Sequence, residues 1–302
     1  MSIREIFKKV KCGHKEYDVS LKKYTTYKLD TIARLIVSPK NIDDLKKIIT
    51  VIKENKIDYK ILGNGSNLIF VDDYYEGVLI KLSNFDDLKF KGTRVTVGAG
   101  YNLTKLAMRT ASESLTGLEF ATGIPGTVGG AVYMNAGAYK SDMGYVVESV
   151  KVLTPDLEIK TMLNKELDYH YRSSFFQKNK DYVILEATIH LRKGTKEAIM
   201  SVIKDRRARR IASQPLEFPN AGSVFRNPEN DFAGRLIEEC GLKGTGINGA
   251  YISEKHANFI VNKEGAKGKD IRELIEKIKK EIKEKYNIEL KVEQEIVENK
   301  KK

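Results

Sequence analysis

Two glycine-rich stretches, LGNGSNLIF (residues 62–70) and GIPGTVGGAVYMNAGAY (residues 123–139), carry the residue types that hold a phosphorylated or planar ligand. Glycine has no Cβ, so successive backbone N–H groups can converge on an anion or lie flat against a ring. In the first stretch Gly63, Asn64, Gly65, Ser66 and Asn67 form a turn directly after an expected strand. A dinucleotide fingerprint of the doubly wound kind needs a third glycine at the sixth position and a helix beyond it. Here the sixth position is Leu68 and a strand is expected next, which disfavours that fold and leaves phosphate binding open. Taken alone, the turn reads as a structural hairpin before it reads as a phosphate site. The second stretch changes the balance: Gly123, Ile124, Pro125, Gly126 and Thr127 lead into Gly129 and Gly130, and then into Asn135, Ala136 and Gly137. Thr127 and Asn135 add hydrogen-bonding side chains to this glycine backbone. Two such loops in one β-rich region, neither followed by the helix of a doubly wound fold, imply a large nucleotide cofactor held by another fold.

Arg172, in YRSS (residues 171–174), keeps its charge at any working pH and can grip a carboxylate through two parallel hydrogen bonds. On local grounds it is a surface arginine within reach of Asp168 or Glu166. Ser223 lies in NAGSVFRNP (residues 220–228) with no histidine or lysine beside it to make a nucleophile, and local chemistry reads it as a turn serine. His14, His170, His190 and His256 show no spacing with cysteine or carboxylate that suits a closed metal site, so no metal is expected; His256 reads as structural. KDRRARR (residues 204–210) is the one short basic block that could be a nucleic-acid patch, but it lacks aromatic interleaving and any recognised module around it.

The elements that must position these residues follow from periodicity. Asn41 caps an expected helix over 42–54 with Ile42, Leu45, Ile48, Ile49 and Ile52 on one face. Further helices are expected over roughly 102–112, 196–212, 232–240 (capped by Asp231, stopped by Gly241) and 269–286. Between them run short strand-like segments such as ARLIV, DYKIL, LIFV, GVLIKL, LKFKG and RVTVGAG. A hairpin is expected around Pro155 and Asp156, then a long strand in YVILEATIHLRK and a closing strand in IELKVEQEIV. A change of character at Thr195 sets a domain boundary there, with α+β architecture on both sides.

Bulk properties narrow the classes. The 302 residues, 41% hydrophobic and 31% charged, exceed what one core usually holds. The one long uncharged run, Phe120 to Tyr139, is too rich in glycine to span a membrane and reads as a loop system. The first eighteen residues interleave charges where a secretory signal needs an apolar core, and Cys12 and Cys240 offer no disulfide framework. The expectation is a cytoplasmic protein without membrane association. The net charge of +12 fits nucleic acid, an anionic metabolite or a lysine-rich proteome, and composition does not choose among them.

The stretches GNGSN and GIPGTVGGAVYMNAGAY, followed in order by YRSS, NAGSVFRNP, AGRLIEECGLKG and SEKHANFIVN, together resemble the UDP-N-acetylenolpyruvoylglucosamine reductases. These are the MurB flavoenzymes of bacterial peptidoglycan synthesis, and the resemblance runs from about Thr25 to Glu293. It implies an α+β fold: an FAD-binding PCMH-type domain, of the kind shared with vanillyl-alcohol oxidase-like flavoproteins, over residues 1–195 in two lobes of roughly 1–70 and 71–195. A smaller α+β substrate-binding domain would follow over 196–290, with a tail, 291–302, returning to the active site. The tight spacing around NAGS resembles the shorter, type II branch. The chain departs from the pattern at Asp30 and Thr31, where relatives have glycines, at Arg226, where lysine is common, and at Gln294 and Glu295, where an aliphatic and a basic residue are more usual.

What the resemblance implies for chemistry is reduction of an enolpyruvyl ether on a UDP-sugar, with FAD bound by the two glycine-rich stretches and NADPH as co-substrate. It assigns catalysis to Arg172 as the carboxylate clamp, Ser223 as proton donor to carbon, and Glu293 by its place on the closing strand, with Glu295 as the alternative carboxylate. Tyr171, Arg226 and Asn227 become substrate contacts. The partners expected are then NADPH and the UDP-sugar enolpyruvyl ether, with no nucleic acid, and the enzyme a monomer. Two other readings stay open: a flavin-dependent hydroxy-acid or alcohol dehydrogenase of the same fold, which gives NAGSVFRNP no role, and a basic nucleic-acid-binding protein built on KDRRARR, which predicts a colourless protein.

Overall fold

Asn41 opens the helix Ile42–Glu54 by accepting the Asp44 N–H at 2.9 Å, and Leu45, Ile48, Ile49 and Ile52 are buried along the face that periodicity marks. Asn102 caps Leu103–Ser112 in the same way through the Lys105 N–H. These helices belong to the larger of two compact units in the computed structural model, which describes residues 2–300. That unit comprises residues 1–15, 37–64 and 79–210; the other comprises 16–36, 65–78 and 211–302. The chain passes between them inside three strands, His14–Ser20, Ile32–Ser38 and Tyr74–Ile80.

The larger unit is built on a five-stranded antiparallel sheet in the order Ile159–Leu163, Val147–Leu153, Val183–His190, Arg94–Gly98, Leu88–Lys91. The hairpin expected around Pro155 and Asp156 forms its first two strands. Val183–His190 is central, with Ala187 opposite Val97 and Val150. The Phe120–Tyr139 stretch departs from the expected loop system: Val128–Met134 is a helix, capped by the Thr127 hydroxyl on the Gly130 N–H at 3.2 Å. Its Gly129 serves packing, since a Cβ there would stand 2.9 Å from that of Ala99, whose carbonyl accepts the Gly129 N–H. Local propensity disfavours glycine in a helix by about 1 kcal/mol each, and this close approach explains why it is tolerated.

The smaller unit has a three-stranded antiparallel sheet, Gly246–Ile247, Ala250–Ile252 and Ile260–Asn262, packed on Gly268–Tyr286. That long helix buries Ile271, Leu274, Ile275, Ile278 and Ile282, each contributing roughly 1.5–3 kcal/mol. By contrast, Lys196–Ser213 buries only Ile199 and Ile203. The helix expected over 232–240 is Ala233–Glu239, and its opening differs from expectation. Asp231 holds the Phe232 N–H and Arg235, while the Ala233 N–H goes to Asn227 Oδ1 at 3.1 Å. The closing segment is strand only at Glu295–Val297, which pairs in parallel with Leu68–Phe70. Among the described residues no helix is long and apolar enough to cross a membrane.

Candidate active site

In the larger unit the two glycine-rich stretches meet. Asn64 Nδ2 donates to the Pro125 carbonyl at 3.4 Å, and a Cβ on Gly63 would stand 2.8 Å from the Thr127 hydroxyl. The N–H groups of Gly63 and Asn64 donate to no protein acceptor among the described residues. Backbone donors left pointing away from protein acceptors are the ones a phosphate or flavin can use. Gly126 donates to the Ile124 carbonyl, which folds Ile124–Pro125–Gly126 into a tight turn, and Gly130 is exposed at the start of the helix.

Arg172 sits at the tip of a turn closed by the paired backbones of His170 and Ser173, with φ +53°. The turn is tied to the second glycine-rich stretch at three points. Arg172 donates to the Gly137 carbonyl at 2.8 Å, Ser174 to the Tyr133 carbonyl at 2.6 Å, and Asn135 Nδ2 to the His170 carbonyl at 2.8 Å. Asn135 Oδ1 also accepts the Gly144 N–H, so its buried amide is spent within the protein. The guanidinium lies over the Tyr171 ring at 5.2 Å, and Tyr171 is 53% exposed. Asp168 and Glu166, the neighbouring carboxylates, are engaged by His170, Lys178 and Lys160. Those contacts hold the Asp168 carboxyl below its usual range, Lys178 contributing most.

In the smaller unit Gly65 has φ +59° and its missing Cβ would stand 2.5 Å from the Tyr24 carbonyl, so only glycine fits. The N–H groups of Gly65 and Ser66 also donate to no protein acceptor among the described residues. Asn67 connects this loop to the closing segment: its Nδ2 donates to the Glu293 carbonyl at 3.2 Å and its own carbonyl accepts the Glu295 N–H at 2.8 Å. Glu293 in turn donates its N–H to the Val224 carbonyl at 2.8 Å, and Phe225 faces Val292 across an antiparallel bridge. Asn67, Glu293 and Val224, the residue after Ser223, are thus linked in one hydrogen-bond network.

The Ser223 turn is held on both sides. Gly222 has φ +77° and donates to Asn220 Oδ1. Gln294 Nε2 donates to the carbonyls of Ala221 and Gly222 at 3.1 and 3.0 Å, while its Oε1 accepts the Tyr27 hydroxyl at 3.0 Å. On the far side the Val224 N–H goes to the Asn258 carbonyl, and Asn258 closes on Phe225. Ser223 itself is half-buried, and its hydroxyl makes no hydrogen bond among the described residues. Arg226 is half-buried beside it with its N–H on the Lys291 carbonyl, and Asn227 is exposed. His256 stacks near Phe259, its Nδ1 accepting the Asn258 N–H; burial lowers its proton affinity, consistent with a structural role.

Four residues escaped sequence reasoning. Tyr27, Gln294 and Asn258 gave no local signal except that Gln294 departs from an expected aliphatic residue. Arg210, the last residue of the basic block, packs its side chain so closely on Gly123 that a Cβ there would stand 2.3 Å from Arg210 Cδ. Tyr139, from the second stretch, stacks on Arg206 and donates to its carbonyl at 2.9 Å. The end of that block is therefore packed against the glycine-rich segment. Among the described residues no group of three or more His, Cys, Asp or Glu is placed to hold a metal ion.

Residues 33–162 match the family profile described as FAD binding domain, and residues 214–297 match UDP-N-acetylenolpyruvoylglucosamine reductase, C-terminal domain. The UDP-N-acetylenolpyruvoylglucosamine reductase of Anoxybacillus flavithermus is 44% identical, covering 98% of this chain and 98% of its own. That of Bacillus subtilis is 45% identical over 92% of each. The crystal structure of UDP-N-acetylenolpyruvylglucosamine reductase from Thermus caldophilus has a TM-score of 0.80 at 33% identity, covering 94% of this chain and 98% of that one.

Proposed function

The chain belongs to the UDP-N-acetylenolpyruvoylglucosamine reductase family, and from that premise we propose that it reduces UDP-N-acetylglucosamine enolpyruvate to UDP-N-acetylmuramate for peptidoglycan precursor synthesis, with bound FAD and NADPH as reductant. The observation that carries the mechanism is the free Ser223 hydroxyl, half-buried on a turn whose neighbouring backbone groups are held. The chemistry that bound FAD supplies is relay of hydride from NADPH to the enolpyruvyl group.

The donors available fit that cofactor. Gly63, Asn64, Gly65 and Ser66 offer backbone N–H groups without protein acceptors among the described residues, suited to a diphosphate. The Gly123–Gly130 segment presents a tight turn and an exposed glycine, suited to close approach of a ring. Asn135 serves by holding the Arg172 turn, and Gly137 by carrying the carbonyl that orients its guanidinium, while Ala136 between them is a cofactor contact by its place in the same stretch.

Arg172 binds the substrate carboxylate. As hydride reaches the terminal carbon, negative charge develops at its neighbour and spreads into that carboxylate, where a fixed guanidinium stabilises it most. Ser223 delivers its proton to the same neighbouring carbon. An alcohol is a poor general acid toward oxygen leaving groups, but an enolate-like carbon is basic enough to take its proton. Glu293 orients that proton transfer, with Glu295, two residues on, as the alternative carboxylate. Tyr171, Arg226 and Asn227 contact the UDP-sugar, and the net charge of +12 steers both polyanionic substrates inward. The reading is of a monomeric cytoplasmic enzyme with no nucleic-acid partner.

The test is whether protein purified yellow, or loaded with FAD, turns NADPH and the enolpyruvyl UDP-sugar into the lactyl ether. A protein that takes up no FAD contradicts the reading. A protein whose flavin NADPH bleaches, but whose colour a hydroxy acid's oxidised form restores in place of the UDP-sugar, points to the dehydrogenase alternative.

A further inference from the structure

Residues 221–225 form a short turn in which the protein engages the backbone around Ser223 while leaving its hydroxyl free. On the C-terminal side the clamp is Asn258, which takes the N–H of Phe225 at 2.9 Å and returns a hydrogen bond to its carbonyl at 2.8 Å. On the N-terminal side it is Gln294, 3% exposed, whose Nε2 spends both hydrogens on the adjacent carbonyls of Ala221 and Gly222. Carbonyls only accept, so this arrangement fixes which end of the amide faces them. The remaining Oε1 then requires a donor, and the fully buried Tyr27 hydroxyl supplies it. Burial also pushes the Tyr27 hydroxyl well above the usual tyrosine range, so it remains a protonated donor at any working pH.

Local stability alone gives no reason for this chain of polar groups. A leucine fills the volume of Gln294 without desolvating an amide, and a buried polar network is costly unless every member is satisfied. Here both hydrogens and the oxygen of the Gln294 amide have partners, and the end point of the chain is the peptide unit immediately before Ser223. We propose that Gln294, oriented by Tyr27, is a positioning residue that sets where the Ser223 hydroxyl stands for proton delivery. Placement is what such a weak acid needs, because displacing a reacting group by about 1 Å costs on the order of a hundredfold in rate. Gly222 supplies the left-handed conformation that turns both carbonyls toward one amide.

The inference rests on the assignment of Ser223 as proton donor, and the experiment separates the two. Holoenzyme carrying Gln294→Leu, Tyr27→Phe or Ser223→Ala is followed by anaerobic stopped flow through both half-reactions, in H2O and D2O. For Gln294→Leu the expected result is bleaching of the flavin by NADPH at the wild-type rate. Reoxidation by the enolpyruvyl UDP-sugar should slow about tenfold to a hundredfold, with a larger solvent isotope effect because proton transfer limits it more. Tyr27→Phe, which removes one oxygen and keeps the amide, should shift the same half-reaction in the same direction by a smaller factor and covers the case in which Gln294→Leu does not fold. If Ser223→Ala cripples reoxidation while both positioning variants keep the wild-type rate and isotope effect, the positioning role is wrong and the proton donor stands. Equal slowing of both half-reactions, with unchanged isotope effect, likewise overturns it and makes Gln294 merely structural. If Ser223→Ala reoxidises normally, the proton-donor assignment itself fails.

Discussion

Asn258 closes on Phe225 as one strand closes on another: its Oδ1 takes the Phe225 N–H and its Nδ2 donates to the Phe225 carbonyl, all within a buried environment. A side-chain amide here replaces a missing ladder partner for the turn segment that carries Ser223. Asn258→Leu leaves two buried backbone groups unpaired, each at a cost of roughly 1–3 kcal/mol. The expected outcome is a melting temperature lowered by several degrees; an unchanged melting temperature shows that water or a rearranged backbone replaces the amide.

Arg172 owes its direction to the Gly137 carbonyl and to the turn that Asn135 and Ser174 tie down. Arg172→Lys keeps the charge and loses the planar, two-pronged grip. Reoxidation by the enolpyruvyl UDP-sugar should fall at least about tenfold, while NADPH bleaching falls much less. Equal loss in both would mean that Arg172 serves binding of both substrates rather than the carboxylate of one.

Gly65 cannot be replaced cheaply. Gly65→Ala places a Cβ 2.5 Å from the Tyr24 carbonyl on a residue already at φ +59°. Backbone must move, at about 1–3 kcal/mol, and the N–H groups of Gly65 and Ser66 move with it. Purified Gly65→Ala should therefore carry less FAD, measured as the ratio of visible to protein absorbance. Full occupancy would show that this loop is not a cofactor contact.

How far the sequence reaches is clearest in these same residues. The glycine pattern marks both candidate cofactor loops because missing side chains leave a trace in composition, and Asn41 announces Ile42–Glu54 one residue ahead, whereas the cap that Asn102 gives Leu103–Ser112 is seen only in the structure. The helix inside GTVGGAVYMN left no such trace, because Gly129 within it is required by contact with Ala99, a partner thirty residues upstream. Tyr27, Asn258 and Gln294 act over separations of 33 to 267 residues, and no local window can join them. Asp231 has the right type for a cap but stands one residue before the cap position of Ala233–Glu239, which is Phe232; it engages Arg235 and the Phe232 N–H, and Asn227 takes the Ala233 N–H.

The half-buried His256 predicts an acid dependence of stability. Desolvation lowers its proton affinity in the folded state, so between neutral pH and values below 6.5 the unfolded chain binds a proton that the folded one resists. Stability contributed by the neutral ring is complete at neutral pH and is lost as pH falls. His256→Gln, which keeps a hydrogen-bond acceptor and cannot titrate, should flatten the melting temperature between pH 7 and 5. An equally steep decline in the variant assigns the acid sensitivity to other groups.

Ser223→Ala removes a single oxygen that makes no hydrogen bond within the described protein, so the fold and the two glycine-rich loops should be untouched. The decisive measurement is anaerobic stopped flow on this variant loaded with FAD. NADPH should bleach the flavin at close to the wild-type rate, and reoxidation by UDP-N-acetylglucosamine enolpyruvate should slow by at least about a hundredfold, the share a positioned acid supplies. Reoxidation at the wild-type rate would contradict proton delivery by Ser223.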